Sequence, residues 1–275
     1  MRSLVERGAR RLASEAVHLA RRVKPARAGT ARVIYYHRID DEQHRSCVAP
    51  RAFAEQMAWL RSEGFHVVPF ASLRPHLDEH RDFPDRTVAI TFDDGFADNY
   101  TNAFPVLVRH GLPATIFLAA GFIGGDELPV LRDRSGVEPL DWKQVNEMAG
   151  DGVELGAHTL THRSLPGLAA DELRREIEGS RDLIAERTGR PVDTFCYPRG
   201  EFDDVVKRAV REAGFRLACT TMPGCVTPDT HPFSLRRTFI ARDDTLRDFA
   251  RKLDGSFDLL HAARQRLGGG ARSYA

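Results

Sequence analysis

The sequence predicts an α/β fold built on a mostly parallel sheet, and three observations carry that expectation. Short β-like runs alternate with helical patterns over about 210 residues, the order that a parallel sheet with crossover helices imposes. The run 87–92 is apolar nearly throughout, as a strand covered on both faces is. The chain has 275 residues, 42% hydrophobic and 29% charged, with 22 Gly and 15 Pro. That is the composition of an ordinary globular protein and excludes a largely disordered or collagen-like chain. Pattern alone leaves a closed barrel and a doubly wound sheet both open.

The elements are expected in the following order. A strand at 32–36 precedes a helix near 53–63 and a strand at 67–70. The buried run 87–92 is followed by a helix near 103–110 and a strand at 114–119. Asp141 with Gln144 three residues on has the form of a capping box and predicts a helix start. A strand at 153–157 leads to a charged helix over about 171–187, with Leu173, Ile177 and Ile184 on one side. Short strands are expected at 194–197, 216–220 and 235–240.

The charge is uneven. Lys and Arg total 40 against 39 Asp and Glu, a formal net charge of +1 that argues against a nucleic-acid partner. Residues 1–32 nevertheless carry a net +7, which leaves −6 for the remainder. Within this leader Val5, Ala9, Leu12, Ala16, Leu19 and Val23 recur at helical spacing, predicting a basic amphipathic helix over 1–31 that can lie on an anionic membrane surface. A solvated or domain-packed helix fits the same pattern. Arg, Glu and His interrupt each short apolar stretch, so neither a secretory signal nor a membrane span is expected. The expected location is the cytoplasm, with possible attachment at the inner membrane face. The four cysteines form no C-x-x-C pair, the pattern of unpaired thiols in a reducing compartment.

Two motifs stand at the ends of expected strands. Thr91-Phe92-Asp93-Asp94-Gly95 places adjacent carboxylates before a glycine that permits a sharp turn. One such carboxylate can bind a metal while its neighbour accepts a proton from water; a solvated Asp-Gly turn has the same letters. His158-Thr159-Leu160-Thr161-His162 holds two imidazoles four residues apart, which would face the same way on a helical turn. Two imidazoles and one carboxylate leave a coordination position open, the arrangement of catalytic zinc.

These motifs, followed by Phe195-Cys196-Tyr197-Pro198-Arg199-Gly200, resemble the polysaccharide deacetylase family, the NodB-homology domain of carbohydrate esterase family 4. The similarity extends over about 33–242. With Tyr35-Tyr36-His37-Arg38-Ile39 ahead of the Asp-Asp motif, the form is most similar to the poly-N-acetylglucosamine deacetylase branch. The resemblance implies a distorted (β/α) barrel with fewer than eight regular strands. The deacetylase domain is expected over 32–245, and a C-terminal helical extension and flexible tail over 246–275. It implies one divalent ion, Zn²⁺ first and Co²⁺, Ni²⁺ or Mn²⁺ as options, held by Asp94, His158 and His162. Asp93 is then the general base, and a backbone N–H of the Tyr197-Pro198-Arg199-Gly200 loop holds the oxyanion. The substrate implied is an N-acetylated sugar of a glycan; a leader helix lying on the membrane would add lipid-linked sugars, which are presented at that surface.

The chain departs from the family pattern in two places. The arginine that usually steadies the base is missing from its usual place in the third motif, and Arg237 is expected to fill that role, with Arg236 as a competitor. The late Leu-x-His that supplies the acid in many members is not evident, and His37 is nominated as general acid. Trp142 resembles the usual start of the preceding helix and would line a sugar platform or pack. Hydrolysis of a cyclic amide or formamide, or a catalytically silent glycan-binding module, are the competing functions.

Overall fold

The computed structural model describes residues 28–125 and 138–258. Most of the expected leader helix, 1–27, and the end of the expected C-terminal extension, 259–275, lie outside the described residues.

Eight strands form one sheet: β1 (Ala31–Tyr36), β4 (His66–Val68), β5 (Thr87–Asp94), β6 (Thr115–Leu118), β7 (Glu154–Ala157), β8 (Thr194–Cys196), β9 (Leu217–Cys219) and β10 (Thr238–Phe239). A separate short pair joins β2 (Arg38–Ile39) and β3 (Cys47–Val48). The path runs β10-β1-β5-β6-β7-β8-β9, with β4 paired to the first half of β5, and the pairings along it are parallel. Leu235 bridges Cys219 of β9, while Thr238 and Phe239 pair with Ile34 and Tyr35 of β1. The stretch 235–239 thus bonds to β1 and also to β9 at the far end of the path, and curls the sheet round. This is the distorted barrel that the motifs imply, with seven strands on the path and β4 beside it.

Helices α1 (Pro50–Ser62), α2 (Arg74–Asp78), α3 (Phe104–His110), α4 (Trp142–Gly150), α5 (Ala170–Thr188), α6 (Asp204–Glu212) and α7 (Leu246–Leu253) complete the described fold. Helix α4 starts at the Asp141 capping box that the sequence predicts, with the Gln144 N–H donating to Asp141 and the Gln144 side chain accepting from the Asp141 N–H. Helix α6, absent from the sequence expectation, is capped by Asp203, whose side chain accepts from the Val206 N–H. Helix α7 packs Phe249 against Trp59 of α1 and buries Leu253 in the same core.

Strand alternation sorts the core into two faces. Ile34, Tyr36, Val88, Ile90 and Phe92 belong to the larger cluster, between sheet and helices. Val33, Ala89, Phe117, Cys196 and Cys219 belong to the smaller one, inside the curl. Because β5 is covered on both sides, all eight of its residues are buried, which is why its first six residues read as a nearly continuous apolar run. Gly156 of β7 lies where a Cβ would come within 2.4 Å of the Phe117 ring, so that the interior has room for the phenylalanine only because position 156 has no side chain. Among the described residues no helix is long and apolar enough to cross a membrane.

Candidate active site

Asp93 is the last inward residue of the series Ala89, Thr91, Asp93 on β5, and His158 continues the inward series Glu154, Gly156 one step beyond β7. The His158 N–H still bonds to the Leu118 carbonyl, so the ladder carries it to the strand end. In a parallel barrel this is the end where loops assemble chemistry. Asp94 has the opposite parity, but its φ of 77° turns the chain sharply ahead of Gly95, which keeps its carboxylate at the same mouth. Both carboxylates are nearly fully buried, at 2% and 3% exposure.

Asp93 is gripped by Arg237. The two terminal guanidinium nitrogens donate to its two oxygens at 2.7 Å each. Arg237 is itself wholly buried, and it also donates to the Thr220 carbonyl at 2.9 Å, to the Thr91 hydroxyl at 3.2 Å and to the Cys196 sulfur at 2.9 Å. Its guanidinium carbon lies 4.3 Å from the centroid of the Tyr35 ring, a cation–π contact in a dry setting. Burial alone would push the Asp93 carboxyl up, but the Arg237 charge and hydrogen bonds carry it below the ordinary carboxylate value. Arg236 points elsewhere, donating to the Pro223 carbonyl at 3.0 Å, so the geometry resolves the pair of candidate arginines in favour of Arg237 as the partner of Asp93.

Asp94 Oδ1 lies 3.2 Å from His162 Nε2 and 3.5 Å from His158 Nε2, and this buried oxygen has no hydrogen-bond partner. The His158 Nδ1–H donates to the Cys196 carbonyl at 2.7 Å, which fixes the tautomer and leaves the Nε2 lone pair aimed at Asp94. The helical turn expected to align the two histidines is not present. Residues 158–162 are an irregular loop in which Thr159 and His162 take left-handed φ values of 65° and 55°, and these two reversals bring the rings within 4.8 Å of each other. One carboxylate and two imidazoles converging on an orphaned oxygen suit a zinc-type cation. A second group, Asp93, His158 and Cys196, also lies close together. It fits a cation less well, because Arg237 occupies both Asp93 oxygens, and burial pushes the Cys196 thiol well up.

His37 follows β1 at the same mouth. Its ring packs edge-on to Tyr35 at 5.7 Å and Phe239 at 5.8 Å, and its Nδ1 is buried without a partner. Burial pulls this imidazole below its ordinary value against the smaller opposing pull of Asp94 and Asp93, which favours its neutral form. Its carbonyl accepts from the Asn99 side chain at 2.8 Å. Asn99 opens a π-helical turn, Asn99–Ala103, a feature that recurs at functional sites.

In the loop after β8 the Tyr197 side chain faces the core, stacked on Phe202 and donating to the Phe233 carbonyl at 3.1 Å. The Tyr197 N–H bonds to the Cys219 carbonyl and the Gly200 N–H to the Tyr197 carbonyl, while Pro198 has no N–H. Arg199, with a φ of 57°, is left as the one residue of the four whose N–H has no backbone partner among the described residues. Its side chain is exposed. Trp142 stands apart from these groups, half-buried, with Gly124 beside its ring and the Arg187 guanidinium 5.9 Å above it.

Known proteins resemble this chain in sequence and fold. The sequence pattern described as polysaccharide deacetylase matches residues 80–218. The chain is similar to a poly-beta-1,6-N-acetyl-D-glucosamine N-deacetylase of Staphylococcus aureus, 26% identical over 81% of this chain and 77% of the relative. It superposes on a polysaccharide deacetylase from Bacillus cereus with a TM-score of 0.70 at 26% identity, covering 82% of this chain and 69% of that one. IcaB from Ammonifex degensii gives a TM-score of 0.70 at 25% identity, over 82% and 97% of the two chains.

Proposed function

This chain belongs to the polysaccharide deacetylase family, and from that premise we propose that it is a hydrolase that removes N-acetyl groups from an N-acetylated sugar of a glycan or glycolipid, using one divalent metal ion. The observation that carries the proposal is the convergence of His158 and His162 on the unpartnered oxygen of Asp94, next to an Asp93 kept ionised by Arg237. The likeness to a poly-N-acetylglucosamine N-deacetylase supports an N-acetylated glucosamine polymer as the substrate class.

Asp94, His158 and His162 would hold the ion, with Zn²⁺ the best match to the donor set. When bound, such an ion polarises an acetamide carbonyl and makes a water molecule more acidic. Asp93 takes the proton of the attacking water: a carboxylate has about four lone-pair positions, and the two bonds from Arg237 leave others free. The Arg199 N–H is assigned to the oxygen that gains charge. A donor of this kind contributes roughly 3–4 kcal/mol to the barrier when aimed at the developing oxyanion. His37 is assigned to the leaving nitrogen. Burial favours its neutral form in the free site, so the proton it delivers is acquired during the cycle, and the one that Asp93 removes from water is at hand. Tyr197, Pro198 and Gly200 shape the loop that presents Arg199. The contacts of Trp142 support a packing role.

The segment 1–31 is proposed as a surface anchor, 32–245 as the deacetylase domain and 246–275 as a helical extension and tail. The test of function is release of acetate and free amine from N-acetylated oligosaccharides and lipid-linked sugars, with and without chelator. Turnover of formamides or cyclic amides in its place, or none on any N-acetyl sugar, would refute the proposal. Replacing His37 by Gln should slow turnover roughly 10² to 10⁴-fold with the metal retained.

A further inference from the structure

The loop 158–162 carries both histidines of the candidate metal site, yet its conformation is not one its residues favour. Thr159 and His162 are not glycines and both adopt left-handed φ, a cost that the surroundings must offset. On one side the loop is pinned by backbone: the Ala120 N–H bonds to the Thr159 carbonyl at 3.1 Å and the Gly121 N–H to the Leu160 carbonyl at 2.8 Å. On the other side stands one residue of α5. Glu176 is 1% exposed. Its carbonyl accepts from the Leu160 N–H at 3.0 Å, one carboxylate oxygen accepts from the Thr161 N–H at 2.8 Å, and the other accepts from the Thr161 hydroxyl at 2.5 Å.

A buried carboxylate with no cationic partner among the described residues is expensive, and is retained where its bonds fix a geometry. Here both carboxylate bonds go to Thr161, immediately before His162, and the backbone carbonyl of Glu176 holds Leu160 ahead of it. We propose that Glu176 is a positioning residue for the metal site, holding Thr161 so that His162 keeps its left-handed turn and aims Nε2 at Asp94. This rests on the reading that Asp94, His158 and His162 hold a divalent ion. Glu176 touches neither metal nor substrate. It acts through the peptide that it grips, as outer partners of metal ligands do.

The test measures Zn²⁺ affinity of the full chain by competition with a chromophoric chelator, alongside the thermal stability of the metal-free protein. Glu176→Ala should weaken affinity about 10 to 100-fold, the usual effect of losing an outer partner. Glu176→Gln, whose amide oxygen still accepts from the Thr161 N–H, should recover much of that loss. Thr161→Val, which removes the hydroxyl bond alone, should lose affinity in the same direction by less. Glu186→Ala, on the exposed side of α5, should change nothing. A merely structural Glu176 predicts lower stability with wild-type affinity, and that result in folded Glu176→Ala overturns the proposal. Should that variant fail to fold, wild-type affinity in Thr161→Val overturns it. Equal binding by wild type and His162→Ala would instead remove the metal reading itself, and the clamp with it.

Discussion

Arg237 and Asp93 lie 144 residues apart in sequence and meet, both buried, through two parallel hydrogen bonds of 2.7 Å. The pair does two things at once. It keeps the carboxylate ionised, and it fixes the plane from which a proton can be accepted.

Breaking that pair should be costly. Arg237→Ala leaves a buried carboxylate uncompensated, for which about 3–5 kcal/mol of destabilisation is expected. Arg237 holds the Asp93 carboxyl below its unfolded value, so its contribution is present above the ordinary carboxylate range and is lost as pH falls through the depressed folded value. Denaturant melts of wild type and Arg237→Ala should therefore converge toward acid pH. In any residual activity, the acid limb of the pH–rate profile should move up. A gap in stability that is constant with pH would contradict this. Asp93→Asn should retain the metal while its rate falls roughly 10² to 10⁴-fold, and loss of metal would make Asp93 a ligand.

Metal binding should compete with protons at His162. Burial lowers this imidazole, but Asp94 beside it outweighs that and the net direction is up. The competing proton therefore stays on to a pH above the ordinary histidine value, and a divalent ion must displace it. Elemental analysis near pH 8 should find about one ion per chain. Competition titrations should show affinity falling as pH drops through and below neutrality. His158→Ala with His162→Ala should abolish binding, and full occupancy in that double variant would end the assignment.

Glu154 gives a second pH signature at the other end of the barrel. It accepts from the Ala71 N–H and from the Thr115 and Thr194 hydroxyls, yet burial outweighs these bonds and raises its carboxyl above the ordinary value. A raised carboxyl favours the folded state while protonated. That stabilisation is complete below the unfolded value and is lost as pH rises through the folded one. The stability of wild type relative to Glu154→Gln should therefore decline with rising pH just above the ordinary glutamate range. Urea melts across that range would show it, and a difference that grows with pH would refute it.

The leader prediction concerns charge. Residues 1–32 carry a net +7, and each basic residue near an anionic leaflet contributes about 1 kcal/mol before screening. The full chain should bind anionic vesicles, release them steeply with salt and ignore neutral lipid. Deleting 1–30 should abolish binding and spare turnover of soluble oligosaccharides. Equal partition of the two proteins would leave the leader as a solvated or packed helix.

The sequence by itself determined the order of elements and the letters of the site. The buried strand β5, the capping box of α4, the Asp-Asp and His-His motifs and the basic leader are local patterns, set by chain neighbours. The sequence does not predict helix α6 although Asp203 caps it, because only Val206 and Val210 of its nine residues are buried. What tertiary structure decided was every relationship across the barrel. Neither the choice of Arg237 over Arg236 nor the grip of Glu176 on Thr161 follows from spacing, since partners brought together by sheet closure and helix packing leave no periodic trace. The histidines mark the limit most sharply. Their four-residue interval suggests a helical turn, but they meet through two left-handed residues, a conformation that the loop's own sequence disfavours and only the surrounding hydrogen bonds can hold.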